Sequence, residues 1–296
     1  VPSGGNSQIS IALSESGSRL AVPSFSELTE GSFDSHDFRS SYTGWDPRII
    51  KVFELENNIW TQLGQDIKDE DLTHDRPPPF WVGATNASLN DQGDIVAISY
   101  PTADKVSSGV TFKQAGAVQA YKLSSGAWEK IGSNILGRGW SSLDDVCSRI
   151  GYYPNSIDIN GKGDIIAVAG SNSSNSNQNY VEVFKLYDNN WVKLGESIEY
   201  FNMGVEIKVS LNKEGNIIAI GDSQSKKVSI YEFIFNEWLI MGEPITLFNG
   251  LFGHSVKLSS SGFNVVVGAP QTDSGNNLID NGGVYSYQWD LEQWTI

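Results

Sequence analysis

The chain has 296 residues, of which 39% are hydrophobic and 19% charged, and its formal net charge is −15. A chain this acidic repels nucleic-acid phosphates and anionic lipid surfaces, so nucleic acid is excluded as an expected partner. No apolar run reaches the roughly 18 residues that a membrane-spanning helix needs, so no membrane span is predicted. Thirty glycines, with many serines and asparagines, indicate an all-β chain of short strands and tight turns.

The single cysteine, Cys147, excludes an internal disulfide and leaves a buried thiol or an intermolecular bridge as alternatives. The chain starts at Val1 with no signal-peptide pattern, so we expect a processed mature chain or a fragment of a longer one. Few cysteines and lysines, together with abundant serine, asparagine and glycine, favour an extracellular or cell-surface protein.

Five copies of one sequence unit follow one another along the chain. The first, at about residues 7–82, opens with an alternating strand at 10–13, a turn ending in Gly17 and an apolar strand at 20–23. An alternating strand at 50–53 follows, and the pattern ends with residues 60–64, Trp-Thr-Gln-Leu-Gly. The second unit, at about 83–148, repeats this order with a turn at Gly93 and strands at 95–98 and 117–121.

The third, fourth and fifth units, at about 149–203, 204–250 and 251–296, carry the same pattern at closer spacing. Only 47 residues separate Gly215 from Gly262, which is close to the length of known propeller blades. The second strand of each unit is a continuous apolar run, such as 217–220, which is typical of a strand buried on both faces. The fourth strand of each unit carries a tryptophan that we predict to lie in a blade core: Trp60, Trp128, Trp191, Trp238 and Trp294.

Four strands repeated at this period predict a β-propeller of five four-stranded blades, in a single domain over residues 1–296. The units run in frame from a first strand to a fourth strand, which permits closure of the ring at five blades. If the chain is a fragment, six or seven blades are the alternative. The alternation and the β-branched content exclude a helical solenoid.

The fifth unit resembles the FG-GAP repeat of integrin-α-like propellers. It opens with Phe252-Gly253 and closes its second strand with Gly268-Ala269-Pro270. Residues 81–83 and 203–204 stand at the opening positions of other units, and residues 99–101 at a closing position, as looser matches. The later pattern, in which Val-x-Val-Tyr precedes Trp-x-x-Leu-Gly, is similar to repeat propellers secreted by marine microeukaryotes and bacteria. The resemblance implies an extracellular propeller.

Calcium-binding members of that family carry an Asp-rich loop between the first two strands. Here the turns read Ser-Glu-Ser-Gly at 14–17 and Asn-Lys-Glu-Gly at 212–215, and none of the five holds three carboxylates. The family's calcium sites therefore do not carry over. His36, His74 and His254 share no ligand-like spacing, and we predict no metal and no cofactor.

The lengths of the connections predict where a partner binds. The turns between first and second strands and between third and fourth strands are all short, and they share one end of the propeller, the hairpin face. The other end, the insertion face, receives all the long segments: 24–47, 66–80, 102–115, 137–153 and 271–281. Because insertions into repeats collect on the binding face, we expect a partner near the first two blades and the start of the third.

Aromatic residues in or beside these insertions are the candidate partner contacts: Trp45, Trp81, Trp140, Tyr152 and Tyr153. Such side chains stack on sugars or fill a pocket in a partner protein, and the alternative is that they pack the insertions onto the propeller. Asn86 and Asn172 begin Asn-x-Ser sequences and are candidate glycosylation sites.

Catalytic patterns are weak in this sequence. It contains no Ser-His-Asp arrangement, no Cys-His pair and no phosphate-binding loop. Acidic stretches at 68–71 and 144–145 allow a calcium site or a carboxylate pair. Asp158 and Glu206 are the acids expected on the inner strands, where propeller glycosidases place their carboxylates.

We therefore predict a non-enzymatic extracellular or cell-surface module that binds another protein or builds a surface assembly. A glycan-binding, lectin-like propeller and a glycoside hydrolase with its site on the axis are the alternatives. Repeat lectins carry the same sugar contacts in every blade, whereas these loops differ from one another, which favours a single asymmetric partner site.

Overall fold

The computed structural model of the chain describes residues 11–24, 49–72, 86–101, 103–107, 110–112, 115–138, 150, 156–172, 178–201, 207–247, 250–272 and 281–296. These residues form five antiparallel blade sheets, one separate two-stranded sheet and no helix. The prediction of an all-β propeller with five four-stranded blades is confirmed.

Each blade takes its strands from a continuous part of the chain. Blade 1 contains β1 (Ala12–Leu13), β2 (Arg19–Ser24), β3 (Ile49–Glu56) and β4 (Ile59–Gln62). The next segment contains β5 (Ala87–Leu89), β6 (Ile95–Tyr100), β7 (Lys105–Ser107), β8 (Val110–Phe112), β9 (Ala117–Ser124) and β10 (Ala127–Leu136). Blade 2 is formed by β5, β6, β9 and β10, while β7 and β8 pair as a separate hairpin.

The three remaining blades repeat this order. Blade 3 contains β11 (Ile157–Ile159), β12 (Ile165–Asn172), β13 (Gln178–Tyr187) and β14 (Asn190–Lys193), with β15 (Ile198–Phe201) added beside β13. Blade 4 contains β16 (Ile207–Leu211), β17 (Ile217–Asp222), β18 (Lys227–Ile234) and β19 (Glu237–Ile240), with β20 (Ile245–Thr246) beside β18. Blade 5 contains β21 (Ser255–Leu258), β22 (Asn264–Ala269), β23 (Gly283–Trp289) and β24 (Trp294–Thr295).

An asparagine or serine at the start of each first turn fixes the hairpin that joins the first two strands. In blade 2, Asn90 Oδ1 accepts the backbone N–H of Ile95 at 2.9 Å, and Asn160 and Asn212 make the same bond in blades 3 and 4. Ser14 and Ser259 use their hydroxyl oxygens in blades 1 and 5. The turn side chains therefore cap their own hairpins.

The second strands hold the core because neighbouring blades cover both of their faces. Every residue of β6 and of β17 is buried. In β17, Ile218 and Ile220 pack toward blade 3, whereas Ile217 and Ala219 pack toward blade 5. Among the described residues, four such apolar clusters lie between blades 1 and 2, 2 and 3, 3 and 4, and 4 and 5.

In each of blades 2 to 5, the fourth-strand tryptophan links its blade to the preceding one. Trp128 Nε1 donates to the Leu63 carbonyl at 2.8 Å, and Trp191 Nε1 donates to that of Ile131 at 3.3 Å. Trp238 and Trp294 bond to the carbonyls of Leu194 and Met241. In every case the acceptor stands three residues after the tryptophan of the preceding blade.

Trp60 differs from the other four. Its side chain is 41% exposed, against 3% for Trp128 and 7% for Trp191, and within the described part of the chain no acceptor is found for its indole N–H. The prediction that Trp60 is a core residue is wrong, because blade 5 does not cover its side chain as the preceding blades cover Trp128 and Trp191.

Replacing Trp191 with Phe removes the donor to the Ile131 carbonyl and part of a buried ring. We expect the free energy of unfolding to fall by about 2 kcal/mol, measured as a lower urea midpoint at constant slope. Trp60→Phe is the matched control, and we expect it to cost less than about 0.5 kcal/mol. If both variants lose the same free energy of unfolding, the Trp191 hydrogen bond does not stabilise the contact between blades.

Candidate functional site

The blade topology separates two ends of the propeller, and the insertion face is the one with unequal connections. Blade 4 links β17 to β18 through residues 223–226 alone, whereas blade 2 places sixteen residues, including β7 and β8, between β6 and β9. The described parts of the insertions show how they are attached to the blades.

Residues 65–72, which we call the strap, continue from blade 1 onto blade 2. Two backbone hydrogen bonds of 2.9 Å join Ile67 to Ile50 in β3. The side-chain amide oxygen of Gln119, in β9, accepts the backbone N–H of Glu70 at 3.1 Å. The amide nitrogen of Gln119 donates to the backbone carbonyl of Glu70. Tyr121 Oη lies 2.8 Å from the Lys68 carbonyl oxygen. Burial raises the pKa of the Tyr121 hydroxyl, which keeps it neutral and able to donate.

Ion pairs add to the attachment of the strap. Lys51 Nζ lies 3.1 Å from Asp66 and Lys130 Nζ lies 3.5 Å from Asp71. Burial alone would raise the pKa of Asp66, but hydrogen bonds from Lys51 and Gln62 outweigh it and lower the pKa. Among the described residues, no three histidine, cysteine or acidic side chains converge as metal ligands. The acidic pair at 144–145 lies outside these residues.

Arg138 fastens the start of the insertion between blades 2 and 3. Its guanidinium bonds Glu182 at 3.1 Å and Glu199 at 2.7 Å, and its carbon lies 3.7 Å from the centre of the Tyr180 ring. Burial alone would lower the pKa of Arg138, but the two carboxylates outweigh it and raise the pKa. Lys105, in the β7–β8 hairpin, donates to the Gly137 carbonyl at 3.1 Å, so both insertions of blade 2 meet here.

The predicted aromatic contacts lie outside the described residues: Trp45, Trp81, Trp140, Tyr152 and Tyr153. Of the two glycosylation candidates, Asn172 ends β12 on the insertion face. Asn86 is 0% exposed, and its amide nitrogen lies 3.3 Å from Ser99 Oγ. A glycan on Asn86 therefore requires the start of blade 2 to open.

A channel of about 360 Å³ runs along the propeller axis, lined mainly by the first strands of the five blades. The acidic side chain in the lining of this channel is that of Asp158, which is buried. One carboxylate oxygen accepts the Ser88 hydroxyl at 2.8 Å, and the other accepts the Leu211 N–H at 2.8 Å and Lys257 Nζ at 3.3 Å. Asp158 therefore joins four blades through hydrogen bonds, while Glu206 lies outside the described residues.

Sequence reasoning missed Gln119 and Arg138, the two side chains that attach the insertions most directly. Gln119 carried a signal, because it is a single polar residue in the apolar run 117–121. No feature of the sequence indicated the role of Arg138, since its partners Glu182 and Glu199 stand more than forty residues away in the chain.

Comparisons with known proteins show the fold. No protein-family model matches the chain, and no curated protein matches it. A functionally unknown protein from Desulfotomaculum acetoxidans is 13% identical at a TM-score of 0.55, with 97% of this chain and 68% of that chain covered. A Bacteroides fragilis protein provisionally named a 6-phosphogluconolactonase is 11% identical at a TM-score of 0.56, covering 96% and 68%.

A third solved structure is named as a propeller. The Swd1 β-propeller domain from Myceliophteria thermophila is 7% identical at a TM-score of 0.50, with 97% of this chain and 70% of that chain covered. At identities this low, the comparisons support the β-propeller fold and no shared activity.

Replacing Gln119 with Leu leaves the backbone of Glu70 without its buried partner. We expect a loss of about 2–3 kcal/mol in the free energy of unfolding and faster hydrogen exchange at the Glu70 amide. Gln288→Leu, at an exposed position of blade 5, is the control and should change neither quantity. Unchanged exchange at Glu70 in Gln119→Leu would show that the strap is held by other contacts.

Proposed function

We propose that this chain is a non-enzymatic propeller that binds another protein, or builds a surface assembly, through the insertion face above blades 1 and 2. The observation that carries the proposal is that side chains fix the described ends of two insertions: buried Gln119 of blade 2 holds the strap, and Glu182 and Glu199 of blade 3 hold Arg138. Binding costs less when the contacting segments are already ordered, so such attachment favours a recognition surface.

The hairpin face offers less to a partner. Its turns are short, and the polar side chains that begin them are occupied by hydrogen bonds to their own backbone, as at Asn90 and Asn212. The channel on the axis is a less favourable location for hydrolysis, because both carboxylate oxygens of Asp158 accept hydrogen bonds from neighbouring blades. These observations favour recognition over a site on the axis.

An extracellular or cell-surface location and FG-GAP-like repeats belong to the same proposal. They rest on the composition and on the Phe252-Gly253 and Gly268-Ala269-Pro270 pattern. In the structure, Phe252 is fully buried in the cluster between blades 4 and 5, and Gly253 has φ of +88°. The opening pattern thus has a packing role, which is independent of the compartment.

Chemical cross-linking between lysines tests which face binds. Lys68 and Lys105 stand on the insertion face, whereas Lys162 and Lys213 stand on hairpin-face turns. With the chain added to a surface extract of its source organism, we expect partner cross-links from Lys68 and Lys105. A Lys68→Arg, Lys105→Arg variant should lose them, and Lys162→Arg, Lys213→Arg should retain them.

Cross-links that come chiefly from Lys162 and Lys213 would contradict the proposal. A glycan array with the purified chain separates the lectin alternative, since selective sugar binding without any protein cross-link favours that function.

A further inference from the structure

The outermost strand of blade 4, β19, has an outer edge with backbone groups that its own sheet does not use. In an antiparallel pair, the backbone groups of alternate residues point toward the partner strand. The N–H of Met241 donates to the carbonyl of Ile230 in β18, so the N–H and C=O groups of Trp238 and Ile240 point away from β18. Among the described residues, β19 pairs with β18 alone.

In blades 2 and 3, a side chain of the preceding blade covers this position. Gln65 Oε1 accepts the Trp128 N–H at 2.9 Å, and Gln65 Nε2 donates to the Trp128 carbonyl at 2.7 Å. Ser133 Oγ accepts the Trp191 N–H at 3.1 Å. The residue that precedes blade 4 at this position is Glu196, which is exposed, and no acceptor for the tryptophan N–H of β19 is found in the described part of the chain. Blade 5 has an acid there as well, but its outer strand has only two residues.

A second protection of the outer edge is also missing from β19. Blades 2 and 3 carry Lys130 and Lys193 two residues after their tryptophans, and lysine discourages the pairing of an exposed edge with another strand. Blade 4 carries Ile240 at this position, which is 51% exposed, and its neighbour Leu239 is 42% exposed. The outer edge of β19 is therefore open and apolar.

The turn that leads into β19 carries an aromatic residue in an unfavourable conformation. Phe235 has φ of +54°, and its side chain is 92% exposed. The matching residues of blades 1, 2 and 3 are small and polar: Asn57, Ser125 and Asp188. Asparagine and aspartate adopt positive φ at a lower cost than a bulky ring does. Because Phe235 gains little packing within the chain, we infer that it contacts something outside it.

The surroundings of this edge are acidic. Residues 230–243 contain three glutamates, residues 285–296 of the adjoining blade 5 contain two further acids, and neither segment contains lysine or arginine. Glu237 and Glu243, which stand at the two ends of the strand, are exposed. Charge complementarity therefore requires positive side chains in whatever binds here.

We propose that the outer edge of β19 binds an extended, basic segment of a partner protein, which adds to blade 4 as a further strand. The outward backbone groups of Trp238 and Ile240 pair with the backbone of that segment. Its lysine or arginine side chains pair with Glu237 and Glu243, and Phe235 packs against its end. This surface lies on the outer rim of the ring, so it is separate from the insertion face.

A second copy of this chain is a poor occupant of the same edge. Pairing two β19 strands brings the glutamates of both copies together, and each copy has a net charge of −15. An alternating basic and apolar strand has neither disadvantage.

A fluorescent octapeptide in which lysine alternates with valine is the probe, and its binding is measured by fluorescence anisotropy. We expect binding that weakens as salt is added, because exposed charges are screened. Saturating peptide should slow hydrogen exchange at the Trp238 and Ile240 amides, which point outward. An octapeptide with glutamate in place of lysine should not bind.

Reversing the charges beside the edge tests where the peptide lies. Glu237→Lys with Glu243→Lys should weaken peptide binding by about tenfold, through two lost ion pairs and the repulsion that replaces them. Glu56→Lys with Glu129→Lys, at exposed positions of blades 1 and 2, produces the same net charge and should change binding much less.

Phe235→Asn separates a binding role from a structural one. Asparagine takes φ of +54° more easily, so we expect the melting temperature to rise while peptide binding weakens several-fold. Asp188→Asn, at the matching turn of blade 3, is the control and should leave binding unchanged.

Absence of peptide binding, equal weakening in the two double variants, or unchanged exchange at Trp238 and Ile240 would each overturn the proposal. Reversible dimerisation of the chain in sedimentation, abolished by Phe235→Asn, would make a second copy the occupant and overturn it as well. None of these outcomes bears on the insertion face, which the lysine cross-links test separately.

Discussion

The burial of each second strand between two neighbouring blades is the constraint on which this structure depends. A strand such as β17 has apolar side chains on both faces, so it is stable only when a blade lies on each side. The close approach that follows explains why one tryptophan reaches the backbone of the preceding blade. The first turns carry glycine because all five of these residues have φ between +69° and +82°. Each sheet is therefore stabilised by the blades that pack against it.

This arrangement also decides which end of the molecule is free to vary. The short hairpins at one end must fit against the neighbouring blade, and their polar side chains are occupied by capping. The connections at the other end leave the packed region and tolerate added residues. Gln119 and Arg138 show that two of the added segments are nevertheless fixed at their described ends.

The polar residues near the axis belong to the same packing system. Ser88, Asp158 and Ser210 join successive first strands by side-chain hydrogen bonds to backbone N–H groups. Such bonds satisfy polar groups where the strands converge and water is limited.

The sequence by itself predicted the four strands of each blade and their order, because the period of two, the turn glycines and the recurring tryptophan are local features that each unit repeats. It left six or seven blades open beside five, and it did not predict the additional strands β7, β8, β15 and β20. It also showed that insertions collect at one end, since that follows from the antiparallel order. It did not reveal that Trp60 is exposed, that Asp158 is a structural bridge, or that Gln119 and Arg138 clamp the insertions. Those facts depend on which residues of neighbouring blades meet, and only the tertiary structure decides this, because contacts between residues far apart in the chain leave no periodic trace.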